Sequence, residues 1–245
     1  MGIGFPTRGV VIVNMDFWIQ LDRDILHFFN GSDNLLLDQI VLVLTSGFTW
    51  VALYLVLLFV VIKNSQTMAQ IMLVVGCALL CIFLADGLAD GLVKPIVARW
   101  RPTNDPLIKY TVDTVNQLRE SNYGFFSAHA ANTMSLAFFF SLLMKSNKLT
   151  IGLFLWSLLN CWTRLYLGVH YPGDVLVGIL WGMMAGSIAY LLYLKIYKML
   201  SPSIKYVSNQ YTRSGFVRAD MDLILNVLVL TVGYAFIRGL FMVNL

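Results

Sequence analysis

Apolar residues run along the chain in long unbroken blocks separated by short polar connections. Six blocks approach or exceed the roughly 20 residues that cross a bilayer as helix. They cover about 35–62, 68–93, 127–144, 150–169, 175–197 and 221–243. A membrane β-barrel would instead show ~10-residue segments of alternating polarity. The pattern therefore predicts an all-α polytopic membrane protein of about six spans, with residues 1–245 forming one membrane-embedded domain. Ahead of the first block, Phe17, Trp18, Leu21, Ile25, Phe28 and Phe29 recur at helical spacing, with Asp22, Arg23 and Asp24 among them. That predicts, within an N-terminal segment 1–34, a short amphipathic helix lying on the membrane surface. His27 on this helix reads as interfacial.

Composition agrees with the pattern: 58% of residues are hydrophobic and only 12% are charged. The net charge of +4 suits Lys and Arg flanking membrane spans rather than nucleic-acid binding. Cys77, Cys81 and Cys161 all fall inside apolar blocks and read as small buried hydrophobes, not metal ligands. The first 15 residues lack the basic start and long apolar core of a cleavable signal peptide, so the first span is expected to direct insertion. Three connections, 63–66, 145–148 and 195–218, are basic and carry no acid. They fall on one side of a six-span arrangement, which the positive-inside rule makes cytoplasmic. Residues 94–126 and the turn at 170–174 fall on the opposite side.

That opposite side collects the candidate chemistry. "KPIVARWRP" (94–102) supplies Lys94, Arg99 and Arg101, fixed cations suited to a phosphate. In "FFSAHAANTM" (125–134), Ser127 and His129 stand at the start of a helix, whose free N–H groups and partial positive charge favour an anion. Ser127 is also a natural N-cap. In "TRLYLGVHYPGD" (163–174), Arg164 ends an apolar run where an unpaired charge is unfavourable. His170 and Asp174, four apart, resemble a base-and-orienter pair. Together these residues make a kit for phosphoryl transfer without a metal or other cofactor. Asp86 and Asp90 stay open between lining the bundle and supporting the site; Asp90 and Lys94 are spaced to pair.

This arrangement resembles the type 2 phosphatidic acid phosphatase superfamily, which also contains the vanadium haloperoxidases. Lys94, Arg101 and Pro102 match its K-x6-R-P motif. "FSAH" matches its P-S-G-H motif at Ser127 and His129, with Phe126 for Pro and Ala128 for Gly. Arg164, His170 and Asp174 match S-R-x5-H-x3-D, with Thr163 for Ser. Ala128 keeps the backbone N–H but restricts φ. The resemblance covers about 35–197 and implies an integral-membrane bundle with its catalytic motifs within 94–174. It implies that His170 attacks phosphorus to form a phosphohistidine, that Asp174 holds its ring, and that His129 is the general acid and base. Lys94, Arg101, Ser127 and Arg164 would hold the phosphate.

A phosphate site at a membrane boundary suits a lipid substrate. Membrane members of the family act on several lipid phosphates; an envelope lipid is expected here, undecaprenyl diphosphate or a phosphate of lipid A. The expected setting is a bacterial inner membrane with the site on the periplasmic or extracellular side. A lipid phosphotransferase using the same site, and a small transporter built around Asp86 and Asp90, are the alternatives. Residues 103–124 are expected to read the head group, with Lys109 and Arg119 as candidates. The sequence leaves the oligomeric state open.

Overall fold

The computed structural model describes residues 15–120, 123–200 and 209–243. The segment read for a signal peptide lies almost wholly outside these residues, as does 201–208 of the third basic connection. The described residues form eight helices and no strand beyond two isolated bridges. They are α1 (Met15–Phe29), α2 (Leu35–Thr45), α3 (Gly47–Asn64), α4 (Met68–Val97), α5 (Ala128–Met144), α6 (Asn147–Tyr166), α7 (Pro172–Leu200) and α8 (Arg218–Val243). By length and composition α3, α4, α7 and α8 can cross a membrane, and α2 and α5 are shorter apolar helices. The chain is an all-α, multi-pass membrane protein.

The first expected span is not one helix. Asn34 caps α2 by accepting from the Leu36 and Leu37 N–H groups. Ser46 then turns extended, and a short 3₁₀ turn opens α3. The break leaves carbonyls without helical partners. Side chains take two of them: Thr49 Oγ1 donates to Val43 O and Trp50 Nε1 donates to Leu44 O. α2 and α3 nevertheless run end to end along α8. A Cβ on Gly239 would lie 2.6 Å from Ile40, and Lys63 Nζ lies 2.6 Å from Asp220 Oδ1 at the other end of α8. Residues 35–64 thus form two helices, joined at a break, that both pack along α8.

α4 departs from expectation differently. The repeated "LADG" unit coincides with two π-helical turns, Phe83–Gly87 and Ala89–Val93. Each π turn inserts a residue and shifts the helical register, a feature common at functional sites. Trp181 Nε1 donates to the Leu84 carbonyl in this stretch. Ala85 and Ala89 pack against Phe126, Ala128 and Ala131 at the start of α5. The helix continues through Lys94 and ends where Ala98 adopts the left-handed conformation.

α5 and α7 approach most closely through small residues. Hypothetical Cβ atoms on Gly178, Gly182 and Gly186 would lie 2.6, 2.5 and 2.7 Å from the carbonyl oxygens of Ser127, Ala131 and Ser135. Glycine every fourth residue brings backbones together where lipid supplies no hydrophobic drive between helices. Larger side chains at these three positions would push the start of α5 away from α7. Ser127 N–H donates to Asp174 O at 3.0 Å across this contact, so the packing sets the spacing of two motif residues.

The three cysteines are buried and free. The described parts of the basic connections gather at one end of the bundle. Asn64 Oδ1 accepts the Val217 N–H, and Lys145, Lys148, Arg213 and Arg218 line one depression. α1 projects Phe17, Trp18 and Phe28 outward, as expected of a surface-lying amphipathic helix.

Candidate active site

All three sequence clusters meet at the other end. Lys94 comes from the end of α4, Arg101 from the loop after it, Ser127 and His129 from the start of α5, Arg164 from the last turn of α6, and His170 and Asp174 from the α6–α7 turn and the start of α7. Ser127 caps α5, its hydroxyl accepting the Ala130 N–H at 3.4 Å. His129 is exposed beside it on the first turn. His129 and His170 lie in the field of the same four groups: Lys94, Arg101, Glu120 and Arg164.

His170 is buried, and its Nε2 lies 2.8 Å from Arg101 Nη1. A guanidinium only donates, so Nε2 accepts, and the neutral ring carries its proton on Nδ1. Burial first, then Arg101 and Arg164, pushes this imidazole well below its ordinary range. Asp174 is also buried, but the expected direct hydrogen bond between the two is not formed. Asp174 Oδ2 lies 3.7 Å from His170 Nδ1, and Nδ1 has no hydrogen-bond partner. The carboxylate is engaged elsewhere: Oδ2 accepts the Tyr171 N–H at 3.1 Å and Oδ1 accepts from Arg99 at 2.7 Å. Gly124 covers the pair; a Cβ there would lie 3.2 Å from Asp174 Oδ2 and 3.5 Å from His170 Nδ1.

Arg99, read from the sequence only as one of three clustered cations, holds Asp174 in place. It donates to Asp174 and to Asp22 of α1, and its guanidinium sits 4.2 Å from the centre of the Tyr171 ring. Asp22 Oδ1 in turn accepts the Gly173 N–H at 2.7 Å. The surface helix is therefore tied directly to the turn that carries His170 and Asp174.

The two deepest cations share one acid. Glu120, the chain's only glutamate, bonds Arg164 through Oε1 and lies 3.0 Å from Arg101 through Oε2. Burial alone would raise its pKa, but Arg164 and then Arg101 hold it down to about 2. Arg164 also donates to Thr45 at the break between α2 and α3. Lys94 pairs with Asp90, as their spacing predicted. Asp86 accepts from Asn132 Nδ2. Of the head-group candidates, Arg119 donates to the Thr103 carbonyl and Lys109 lies over the Tyr110 ring. Among the described residues no group of His, Cys, Asp and Glu side chains is arranged to hold a metal ion.

Residues 75–198, the stretch that carries every one of these motif residues, match the family described as the PAP2 superfamily. The chain belongs to that superfamily. It is 36% identical over 183 residues to a lipid A 4'-phosphatase of Bacteroides thetaiotaomicron, covering 74% of this chain and 81% of the relative. A lipid A 4'-phosphatase of Porphyromonas gingivalis is 31% identical over 180 residues, covering 74% and 76%. A decaprenylphosphoryl-5-phosphoribose phosphatase of Mycobacterium tuberculosis is 38% identical over 96 residues, 39% of this chain and 49% of the relative. No solved structure gives a significant match. The chain is thus a lipid phosphatase-like membrane enzyme of the PAP2 superfamily, and the family resemblance read from its motifs is borne out.

Proposed function

We propose that this PAP2 enzyme removes phosphate from an envelope lipid through a phosphohistidine on His170, without a metal, within one membrane-embedded domain. The observation that carries the reading is the buried His170, its Nε2 lone pair 2.8 Å from Arg101, beside the second buried arginine, Arg164. Phosphoryl transfer needs positioning and charge stabilisation more than covalent help from the protein. Arg101, Arg164 and Lys94 supply the charge, and Ser127 with the α5 N-terminus supplies hydrogen-bond donors. In the first step His170 Nε2 forms a bond to phosphorus as the bond to the lipid oxygen breaks. His129 gives that oxygen a proton. Asp174 faces the Nδ1 proton and steadies the positive charge on the ring. In the second step water attacks phosphorus, its proton passes to His129, the N–P bond breaks, and His170 returns neutral.

Lipid A is the favoured substrate because the two relatives matched over three quarters of this chain are both lipid A 4'-phosphatases. Undecaprenyl diphosphate is the second, supported by the shorter match to a prenyl-lipid phosphatase. Exposed Ile96, Trp100 and Tyr110 around the site suit contact with the bilayer boundary. The positive-inside rule supports a periplasmic site in the inner membrane, because the basic connections gather at the opposite end.

The test is phosphate release by the detergent-purified protein from lipid A, undecaprenyl diphosphate, phosphatidic acid and phosphatidylglycerophosphate, with EDTA present. Release from one lipid that disappears in His170→Ala is the expected result. Release that survives in the variant sinks His170 as nucleophile, and a phosphorylated lipid acceptor in place of free phosphate makes the enzyme a transferase. Single cysteines introduced in the 103–118 loop, tested with a membrane-impermeant thiol reagent on spheroplasts, check the orientation; labelling only after lysis would reverse it.

A further inference from the structure

Arg101 and Arg164 are the residues proposed above to grip the phosphate, yet both already hold an anion. Glu120 spans them, one carboxylate oxygen on each guanidinium. A carboxylate offers an arginine the same feature as a phosphate: paired oxygens carrying negative charge, matched to a planar fork of donors. Glu120 lies outside the three family motifs, on the loop between α4 and α5. Its side chain is 30% exposed, whereas those of Arg101 and Arg164 are 3% and 2% exposed. Its main-chain carbonyl is held independently of the side chain. Its carbonyl accepts from Asn104 Nδ2 at 2.9 Å, and Gly124 N–H donates to Arg99 O. The part-exposed carboxylate can therefore swing toward solvent while the residue's own main-chain carbonyl stays bonded to Asn104.

We infer that Glu120 is an internal anion that fills the phosphate subsite at rest and competes with substrate and product for Arg101 and Arg164. The inference rests on the reading of those two arginines as phosphate ligands. Two buried guanidiniums with no anion between them repel each other, so an empty site needs such a carboxylate. The same carboxylate must be displaced whenever a phosphate arrives. Its displacement also bears on the nucleophile. Arg101 Nη1, which Glu120 holds, is the atom that faces the His170 Nε2 lone pair. A phosphate that draws Arg101 onto its own oxygens frees that lone pair for attack. After hydrolysis, the returning Glu120 helps expel inorganic phosphate. The length of the side chain matters: an aspartate, one methylene shorter, would not span both arginines from the same backbone position.

The test needs no turnover. Inorganic phosphate is titrated into the purified full-length wild type and Glu120→Gln, with binding followed by calorimetry and by thermal shift. Removing a competing charge from a shared site is expected to tighten phosphate binding at least about tenfold. In the lipid assay, product inhibition should set in at correspondingly lower phosphate. A carboxylate that only held the arginines in place would have the opposite effect, because its loss would let them splay. Equal or weaker phosphate binding by folded Glu120→Gln overturns the inference. If that variant does not fold, Glu120→Asp takes its place, with binding several-fold tighter than wild type expected and unchanged or weaker binding overturning the proposal. If the wild type releases phosphate from no lipid while Glu120→Gln still binds phosphate more tightly, the internal anion stands and the hydrolase reading falls.

Discussion

Both ends of the bundle are rich in cations, but they treat them in opposite ways. At the basic end, Lys63, Lys145, Lys148, Lys195, Lys198, Arg213 and Arg218 are all exposed. At the motif end, Arg101 and Arg164 are buried, and Arg99 and Lys94 are partly covered. The basic end needs only charge near a lipid head-group layer, and exposed, hydrated cations provide it. Burial removes hydration and is tolerated only with partners. The motif end supplies those partners one cluster at a time: Asp90 for Lys94, Asp22 and Asp174 for Arg99, Glu120 for Arg101 and Arg164. A cation that is desolvated and also held by an acid is a candidate for meeting an anion or for holding that acid in place. Charge count alone does not distinguish the two ends.

The sharpest test of the contrast is at His170, the proposed nucleophile. His170→Ala is expected to lower kcat by at least about a thousandfold on any lipid the wild type accepts, with the fold retained by circular dichroism. Arg164→Ala comes next. Removing a preorganised, buried cation is expected to lower kcat/KM by about 10²–10³-fold. A comparable loss from an exposed arginine of the basic end would break the comparison. Arg99→Ala follows, acting through Asp174 rather than on substrate. A fall of roughly 10–100-fold in kcat with little change in KM is expected, as for partners that orient a working side chain. A change in KM alone would assign Arg99 to substrate binding instead.

The pH dependence of stability separates the ends again. The folded pKa of His170 lies below its unfolded value, with burial the leading cause. The unfolded chain therefore binds the extra proton. The stability of the neutral buried ring is fully present above about pH 6.5 and is lost progressively as pH falls from there toward the depressed folded value. The melting temperature of the wild type should drop below pH 6.5 more steeply than that of His170→Ala. Parallel curves would mean that the histidine is hydrated in solution.

Much of this was legible in the sequence because the motifs are local. Lys94 and Arg101 share one α4-to-loop passage, and His170 and Asp174 share one turn, so spacing alone brings each pair close. Ser127 was readable as an N-cap because capping depends on a few neighbouring residues. The pairings of Glu120, Asp22 and Arg99 were not legible because their partners lie far along the chain. Asp22 and Arg99 are 77 residues apart, and Glu120 and Arg164 are 44 apart. One signal was available: a single glutamate in the whole chain, in the loop facing the site, where every other acid is the shorter aspartate. The break at Ser46 did leave a signal, because Thr45, Ser46, Gly47 and Thr49 interrupt the apolar run, but the long apolar stretches on either side outweigh so short an interruption when a span is read from hydropathy. The π turns in α4 fall on the repeated "LADG" unit, but nothing in such a unit distinguishes a π turn from an α turn by periodicity.

The smallest expected effect completes the contrast. Lys148 is exposed at the basic end, beside Lys145, Arg213 and Arg218. Its role there is shared among several cations, none of which depends on it for desolvated pairing. Exposed charges contribute little individually, and salt screens them. Lys148→Ala is therefore expected to keep phosphate release within about twofold of wild type and to leave the membrane orientation unchanged. The measurement is initial rate at saturating lipid, with the same thiol-labelling pattern in the 103–118 loop. A large loss of rate with the orientation intact would mean that this end communicates with the site through the bundle. In that event exposure would no longer separate anchoring cations from working ones.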